Sequence, residues 1–185
     1  MRIQYRSARD STVVISELML PSHSNFSGKI HGGYVLSLLD QIAFACASKH
    51  SRAYCVTASV DTVDFLNPIE VGELVTMRAS INYVGRTSMV VGIRVEAENI
   101  RTGVVKHCNS SYFTMVARGD DGKGVEVDGL LLESTTDIKR FLKAVKRIEM
   151  KRKRKEEFDH ENFVPDDYLE DLAKYKVKVT CTEEL

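Results

Sequence analysis

Between Gly32 and Ser48 the chain runs through about 17 residues dominated by Leu, Ala, Ile and Phe, with few polar interruptions. A segment of this length is too long for an ordinary strand, and it is apolar on nearly every side. It predicts a helix buried in a core. The flanking segments narrow the architecture. One strand candidate, Thr12–Leu20, precedes it and is stopped by Pro21. Four follow, roughly Tyr54–Phe65, Leu74–Val84, Ser88–Asn99 and Val104–Ala117, separated by turn residues at Asn67-Pro68, Gly85-Arg86 and Arg101-Thr102-Gly103. Connections this short suit antiparallel neighbours, because a parallel crossover takes about a dozen residues or more. The pattern predicts an α+β domain in which a curved antiparallel sheet wraps one long central helix, the last four strands forming a meander.

This domain is expected over 11–118, ending in the polar, Gly-rich stretch Arg118–Gly129. A C-terminal helical extension is expected over 130–185. Within it Ile138, Phe141, Leu142, Val145 and Ile148 recur at helical spacing, predicting a helix over Thr136–Glu157 with Thr135 or Thr136 as N-cap. Pro165 heads a shorter helix candidate, Asp166–Lys174. Between Lys139 and Lys155 lie ten Lys or Arg and one Glu. A nucleic-acid surface is one reading of such a cluster. A solvated helix face is the better one. The apolar stripe has to dock, the acids that follow (Glu157, Asp159, Glu161, Asp166 and Asp167) offset the charge, and apart from Phe141 of that stripe no aromatics are interleaved for base stacking.

Charge and cysteine usage limit the partners. The formal net charge is zero, which gives the whole molecule no bias towards nucleic acid or a membrane surface. The longest apolar stretch, Tyr34–Ala47, is broken by Ser37, Asp40 and Gln41 and falls short of the roughly 20 residues that cross a bilayer. The opening MRIQYRSARD has no apolar core, so no secretory leader is expected. Cys46, Cys55, Cys108 and Cys181 form no C-x-x-C pair, and the five histidines never fall three or four apart. Free thiols in a reducing cytoplasm, and no metal site, are the expectation.

Three features carry potential chemistry. Asp40 sits mid-helix with Leu36, Ser37, Ala43 and Phe44 one turn away. A carboxylate among such neighbours is a structurally hydrogen-bonded buried acid, a group on a solvated stripe, or one with a task such as general base, because desolvating it costs several kcal/mol. The His31-Gly32-Gly33 run at the helix start leaves amide N–H groups uncovered, where the helix dipole favours a developing oxyanion; steric need for glycine is the alternative. Asn25, in the preceding loop, either forms a turn or orients water. Gly33 and Asp40 are seven residues apart, on nearly one face and about 10 Å apart along the axis. One carbonyl cannot touch both, so either the substrate bends considerably or a second subunit contributes; a site shared at a dimer interface is the expectation.

The stretch Pro21–Asp40, with Asn25, His31-Gly32-Gly33 and Asp40 in order, closely resembles the opening of the acyl-CoA thioesterases of the hotdog fold. That family includes bacterial broad-specificity enzymes and tandem-domain mammalian cytosolic ones. The resemblance continues through Val56–Phe65, Asn67-Pro68-Ile69, Tyr83–Met89, Tyr112–Ala117 and the Asp120-Asp121-Gly122-Lys123 turn, covering about 110 residues. It implies hydrolysis of acyl-CoA, with Asp40 as general base or nucleophile, Asn25 positioning water or thioester from the opposite subunit, the Gly33 N–H polarising the carbonyl, and Thr57 hydrogen-bonding near the carboxylate. It places the CoA arm along Gly85, Arg86, Thr87 and Ser88, whose guanidinium, hydroxyls and amides suit phosphate or pantetheine. His31 and Gly32 are candidates for substrate contact, although a structural role for His31 fits as well. Part of the basic helix is a further candidate for attracting the CoA phosphates. The implied partners are acyl-CoA and further copies of the chain, as a homodimer with shared sites and a trimer of dimers. No cofactor is expected, coenzyme A being part of the substrate. Two rivals are disfavoured. A hotdog hydratase needs a His near Asp40, and an acyl-CoA sensor needs a DNA-binding module, whereas about ten residues precede the first strand.

Overall fold

The computed structural model describes residues 4–172 and 174–180; Cys181 lies outside them. In chain order the elements are β1 (Tyr5–Ser7), α1 (Ala8–Ser11), β2 (Val13–Leu18), a 3-10 turn (Pro21–His23), α2 (Gly32–Ser51), β3 (Tyr54–Val60), β4 (Glu73–Val84), β5 (Ser88–Asn99), β6 (Val104–Arg118), β7 (Gly129–Leu131), α3 (Thr135–His160) and α4 (Pro165–Leu172). Contacts divide the described chain into two compact units, one through Val145 and one from Lys146 onward.

In the first unit five strands form one antiparallel sheet in the order β2-β4-β5-β6-β3, and β1 pairs with β7 in parallel. Helix α2 packs on this sheet. Its Val35, Leu39, Ile42, Ala43, Cys46 and Ala47 join Val75, Met77, Met89, Val91, Phe113 and Met115 in the core. Leu39 and Ile42 are fully buried, each contributing about 1.5–3 kcal/mol by burial alone. The helix begins at N-cap His31 and ends at Arg52, whose φ of 57° is left-handed and whose N–H returns to the Ser48 carbonyl at 2.9 Å.

Three expectations are corrected. The last four strands are not a meander: β4, β5 and β6 are, but β3 lies at the far edge, antiparallel to β6. The strand expected to reach Phe65 stops at Val60. Beyond Val60 the regular ladder ends, and backbone bonds (Asp61 N–H to the Tyr112 carbonyl at 3.0 Å, Leu66 N–H to the Cys108 carbonyl at 2.9 Å) alternate with side-chain ones. Asn109 Nδ2 donates to the Asp64 carbonyl at 2.9 Å and Asn67 Nδ2 to the His107 carbonyl at 2.8 Å. Those bonds guide the connection back across the sheet to β4. Helix α2 is not buried all round either. Gly33, Ser37, Asp40 and Phe44, spaced three or four apart, form one exposed stripe, with Gln41 beside Asp40.

Helix α3 starts one residue earlier than expected, and its cap is Ser134, not Thr135 or Thr136: the Ser134 Oγ accepts the Asp137 N–H at 3.1 Å. Of its apolar stripe within the first unit, Ala144 is buried and Phe141 stacks on Tyr83 with centroids 5.7 Å apart, but Ile138 and Leu142 are exposed. In the second unit Arg152 and Lys153 pair with Glu156 and Glu157 one turn on.

Candidate active site

Asp40 emerges at the middle of the exposed stripe of α2, directly below strand β3. The pairing of β3 with β6 slips between Thr57 and Ser59, leaving Ala58 as the extra residue of a bulge. Bulges bend a strand and re-aim side chains. Here the Thr57 hydroxyl donates to Asp40 Oδ1 at 2.5 Å, and with one hydrogen to give it bonds the carboxylate in preference to the weakly accepting Met115 Sδ, 3.4 Å away. Oδ2 keeps its accepting capacity for another group.

The pair opens into a cleft of about 590 Å³ lined by Ile15, Asp40, Gln41, Phe44, Tyr54, Cys55, Val56 and Thr57. Phe44 and Tyr54 meet edge to face at 5.7 Å on its wall, and 38% and 64% of their surfaces are exposed. Of the readings the sequence left open for Asp40, the buried acid is corrected and the solvated stripe is the one found: in a single chain the residue is exposed. Of the neighbours that suggested burial, Ala43 is buried and Leu36 half-buried, about a quarter turn round the helix from the exposed Phe44 and Ser37.

The remaining candidates lie outside the cleft. Gly33 is on the same stripe, seven residues up the helix, and its N–H donates to the His31 Nδ1 at 3.2 Å. Gly32 lies under Phe65: an added Cβ would stand 3.4 Å from the ring. Asn25 uses its Oδ1 to organise its own loop, accepting from the Ser27 N–H at 3.0 Å, the Ser27 hydroxyl at 2.7 Å and the Lys29 N–H at 3.2 Å. Those bonds leave its amide NH2 for another partner. Gly85, Arg86, Thr87 and Ser88 form the β4–β5 turn, closed by the Gly85 N–H on the Ser88 carbonyl at 2.7 Å. The Arg86 and Thr87 carbonyls accept from Val127 and Ala117, at 3.0 and 2.9 Å.

Sequence reasoning missed two groups. One is the Phe44–Tyr54 wall, foreshadowed only by Phe44 standing four residues after Asp40. The other is Tyr34, whose hydroxyl donates to Glu17 and whose ring stacks on His23 at 4.0 Å; the Glu17 carboxylate holds the Tyr34 phenol above its ordinary pKa. Among the described residues no cluster of three or more His, Cys, Asp or Glu is placed to hold a metal ion. No described helix is long and apolar enough to cross a membrane.

A five-stranded sheet curled over one long helix, with an acid and a hydroxyl paired under its free edge strand, is a hotdog domain. Residues 27–104 match the model of the thioesterase superfamily, and the chain belongs to that family. The protein VdlD of Helicobacter pylori is 43% identical over 145 residues, 78% of this chain and 83% of that one. An apo-hexameric acyl-CoA thioesterase is similar with a TM-score of 0.80 at 35% identity, over 82% of this chain and 97% of its own. An acyl-CoA hydrolase of Staphylococcus aureus, solved in complex with butyryl coenzyme A, coenzyme A and coenzyme A disulfide, has a TM-score of 0.78 at 30% identity, over 91% and 99%. Variants of that hydrolase solved with Ala replacing one Asn, one Asp and one Thr have those positions fifteen and seventeen residues apart.

Proposed function

We propose that the chain hydrolyses acyl-CoA to a free fatty acid and coenzyme A, with Asp40 as general base. The observation that carries this reading is the Thr57–Asp40 pair in an open, aromatic-walled cleft. With Oδ1 held by Thr57, Oδ2 takes a proton from water as the water oxygen attacks the thioester carbonyl. The tetrahedral oxyanion forms against the Gly33 N–H, then collapses. The C–S bond breaks and CoA leaves as a thiolate that recovers the proton. The reaction needs no cofactor. Asn25, Asp40 and Thr57 stand fifteen and seventeen residues apart, the intervals found in the S. aureus variants, which supports assigning them to one site.

Two copies supply each site in this reading. Asp40 and Gly33 of one helix are about 10 Å apart along its axis, too far for a single carbonyl. Strand β3 has a free outer edge and exposes Tyr54 beside Phe44, and an unpaired apolar edge is a surface that natural proteins cover. A second copy laid along it would close the cleft over Asp40 and bring its own Gly33 and Asn25 amides to the thioester. The CoA arm would then run along Gly85–Ser88. We take a trimer of such dimers as the full assembly and the reducing cytoplasm as its location, in keeping with the free, buried Cys46, Cys55 and Cys108.

The test follows thiol release from acyl-CoAs of acetyl to palmitoyl length with a disulfide reagent. Asp40→Asn and Asp40→Ala should lose roughly two to four decades of kcat with unchanged melting temperatures, since the side chain is exposed in the folded chain. Turnover equal to that of the unmodified protein in either variant refutes the mechanism.

A further inference from the structure

The donor assigned to the carbonyl is already occupied. Three amides of the first turn of α2 end on one residue, His31. The Tyr34 and Val35 N–H groups bond its backbone carbonyl at 3.0 and 3.3 Å, while the Gly33 N–H bonds its imidazole Nδ1 at 3.2 Å. Only the Gly33 bond ends on a side chain. A rotation about the His31 side-chain torsions can break it without unwinding the helix, whereas the other two are fixed by the backbone. The ring also lies over the glycine. A Cβ on Gly33 would stand 3.4 Å from Nδ1 and 3.7 Å from Cε1, at van der Waals contact, so the imidazole packs directly against this position. A ligand oxygen accepting from this N–H at normal distance needs the space that Nδ1 fills.

We propose that His31 is a displaceable cap, an internal surrogate for the thioester carbonyl that must be swung aside before the Gly33 N–H can polarise substrate. This rests on the reading of Gly33 as the carbonyl donor. The neutral imidazole accepts through Nδ1, with its proton on Nε2. Once displaced, it leaves the N–H to the substrate oxygen and the helix keeps its other two first-turn bonds. Such a cap keeps the donor satisfied and ordered between turnovers, at a cost in carbonyl affinity equal to one net hydrogen bond. His31 is thus a positioning residue for the reaction.

The test uses two coenzyme A derivatives that cannot be hydrolysed. S-(2-oxopentyl)-CoA carries a ketone for the Gly33 N–H, and S-pentyl-CoA has the same chain length without a carbonyl. Dissociation constants are measured by calorimetry on the full chain. His31→Phe keeps a ring of similar size and removes the acceptor. It should tighten the ketone roughly two- to tenfold, the size of one net hydrogen bond, and leave the thioether unchanged. His31→Asn restores an N-cap acceptor for the same amide and should return the ketone to its original affinity. If His31→Phe shifts neither compound, shifts both alike, or weakens the ketone alone, the cap is overturned. If the unmodified protein binds neither compound, the acyl-CoA reading itself falls, which is a separate result. Thermal unfolding of each variant establishes that the comparison is between folded proteins.

Discussion

The bond from Thr57 to Asp40 is the part of the site that most directly tests the mechanism. Replacing Thr57 by Val removes the hydroxyl and keeps the shape and β-branching that a strand favours. The lost interaction is a 2.5 Å hydrogen bond to a carboxylate, of the charge-assisted kind worth about 1.5–3 kcal/mol when its acceptor is ionised. Both groups are exposed in a single chain, so little of that reaches folding stability. If the bond aims Oδ2 at the attacking water, its loss appears in the barrier, at about 1.4 kcal/mol per decade of rate. Thr57→Val should therefore lower kcat roughly tenfold to a hundredfold, with a melting temperature within a degree or two of the original. Thr57→Ser should retain most of the rate. The decisive measurement is the double-mutant cycle. In an Asp40→Asn background there is no carboxylate to aim, and Thr57→Val should cost almost nothing further. Equal losses in both backgrounds would mean that Thr57 acts through something other than Asp40, and the base-positioning argument would be wrong.

Two further predictions concern what holds the scaffold. His50 is fully buried at the end of α2, its Nδ1 against the Ser11 hydroxyl at 3.2 Å and its Nε2 against the Asp128 carbonyl at 3.4 Å. Burial lowers its pKa, Arg6 adds to this, and the Asp128 carbonyl and the Asp128 and Asp10 carboxylates oppose it. Above the unfolded value of about 6.5 both states are neutral; as pH falls below it the unfolded chain takes up a proton that the native one refuses, and stability is lost down to the native pKa. The unmodified protein should thus lose more melting temperature than His50→Gln between pH 7 and 5, and parallel curves would refute the assignment. On β5, a Cβ at Gly92 would stand 2.1 Å from Asn82 Nδ2 and 3.0 Å from its Cγ, inside a buried position. Gly92→Ala should cost about 1–3 kcal/mol in denaturant unfolding, and adding Asn82→Ala should recover most of it; an unrecovered loss would place the strain in the backbone.

The helix, the five strands of the main sheet and the motif residues were all legible, because periodicity and turn chemistry are local signals. Strand order was not. The segment after Val60 keeps a strand-like composition, Asp61 to Phe65, yet its regular ladder gives way to a mixture of backbone bonds and bonds from the Asn109 and Asn67 side chains. No local rule sees a partner forty residues away. The 5–7 strand was missed for the same reason: its pairing is with 129–131, far along the chain. Asp40 was left between burial and a solvated stripe for a different reason. An apolar majority obscured the stripe of Gly33, Ser37, Asp40 and Phe44, although its spacing of three and four was present in the residues themselves.

That stripe explains why the site cannot be judged from one chain. Beside Asp40 stand two aromatic side chains, Phe44 and Tyr54, that a solitary chain leaves 38% and 64% exposed. In a single chain the Asp40 carboxylate stands exposed to water. Covered by a second copy, the same group would lose water from both its aromatic wall and the free edge of β3, and a hydrogen bond from Thr57 gains strength as the surrounding dielectric falls. In the proposed dimer the chemistry would then be completed by assembly, the single chain holding the Thr57–Asp40 pair and lacking the second copy's Gly33 and Asn25 amides.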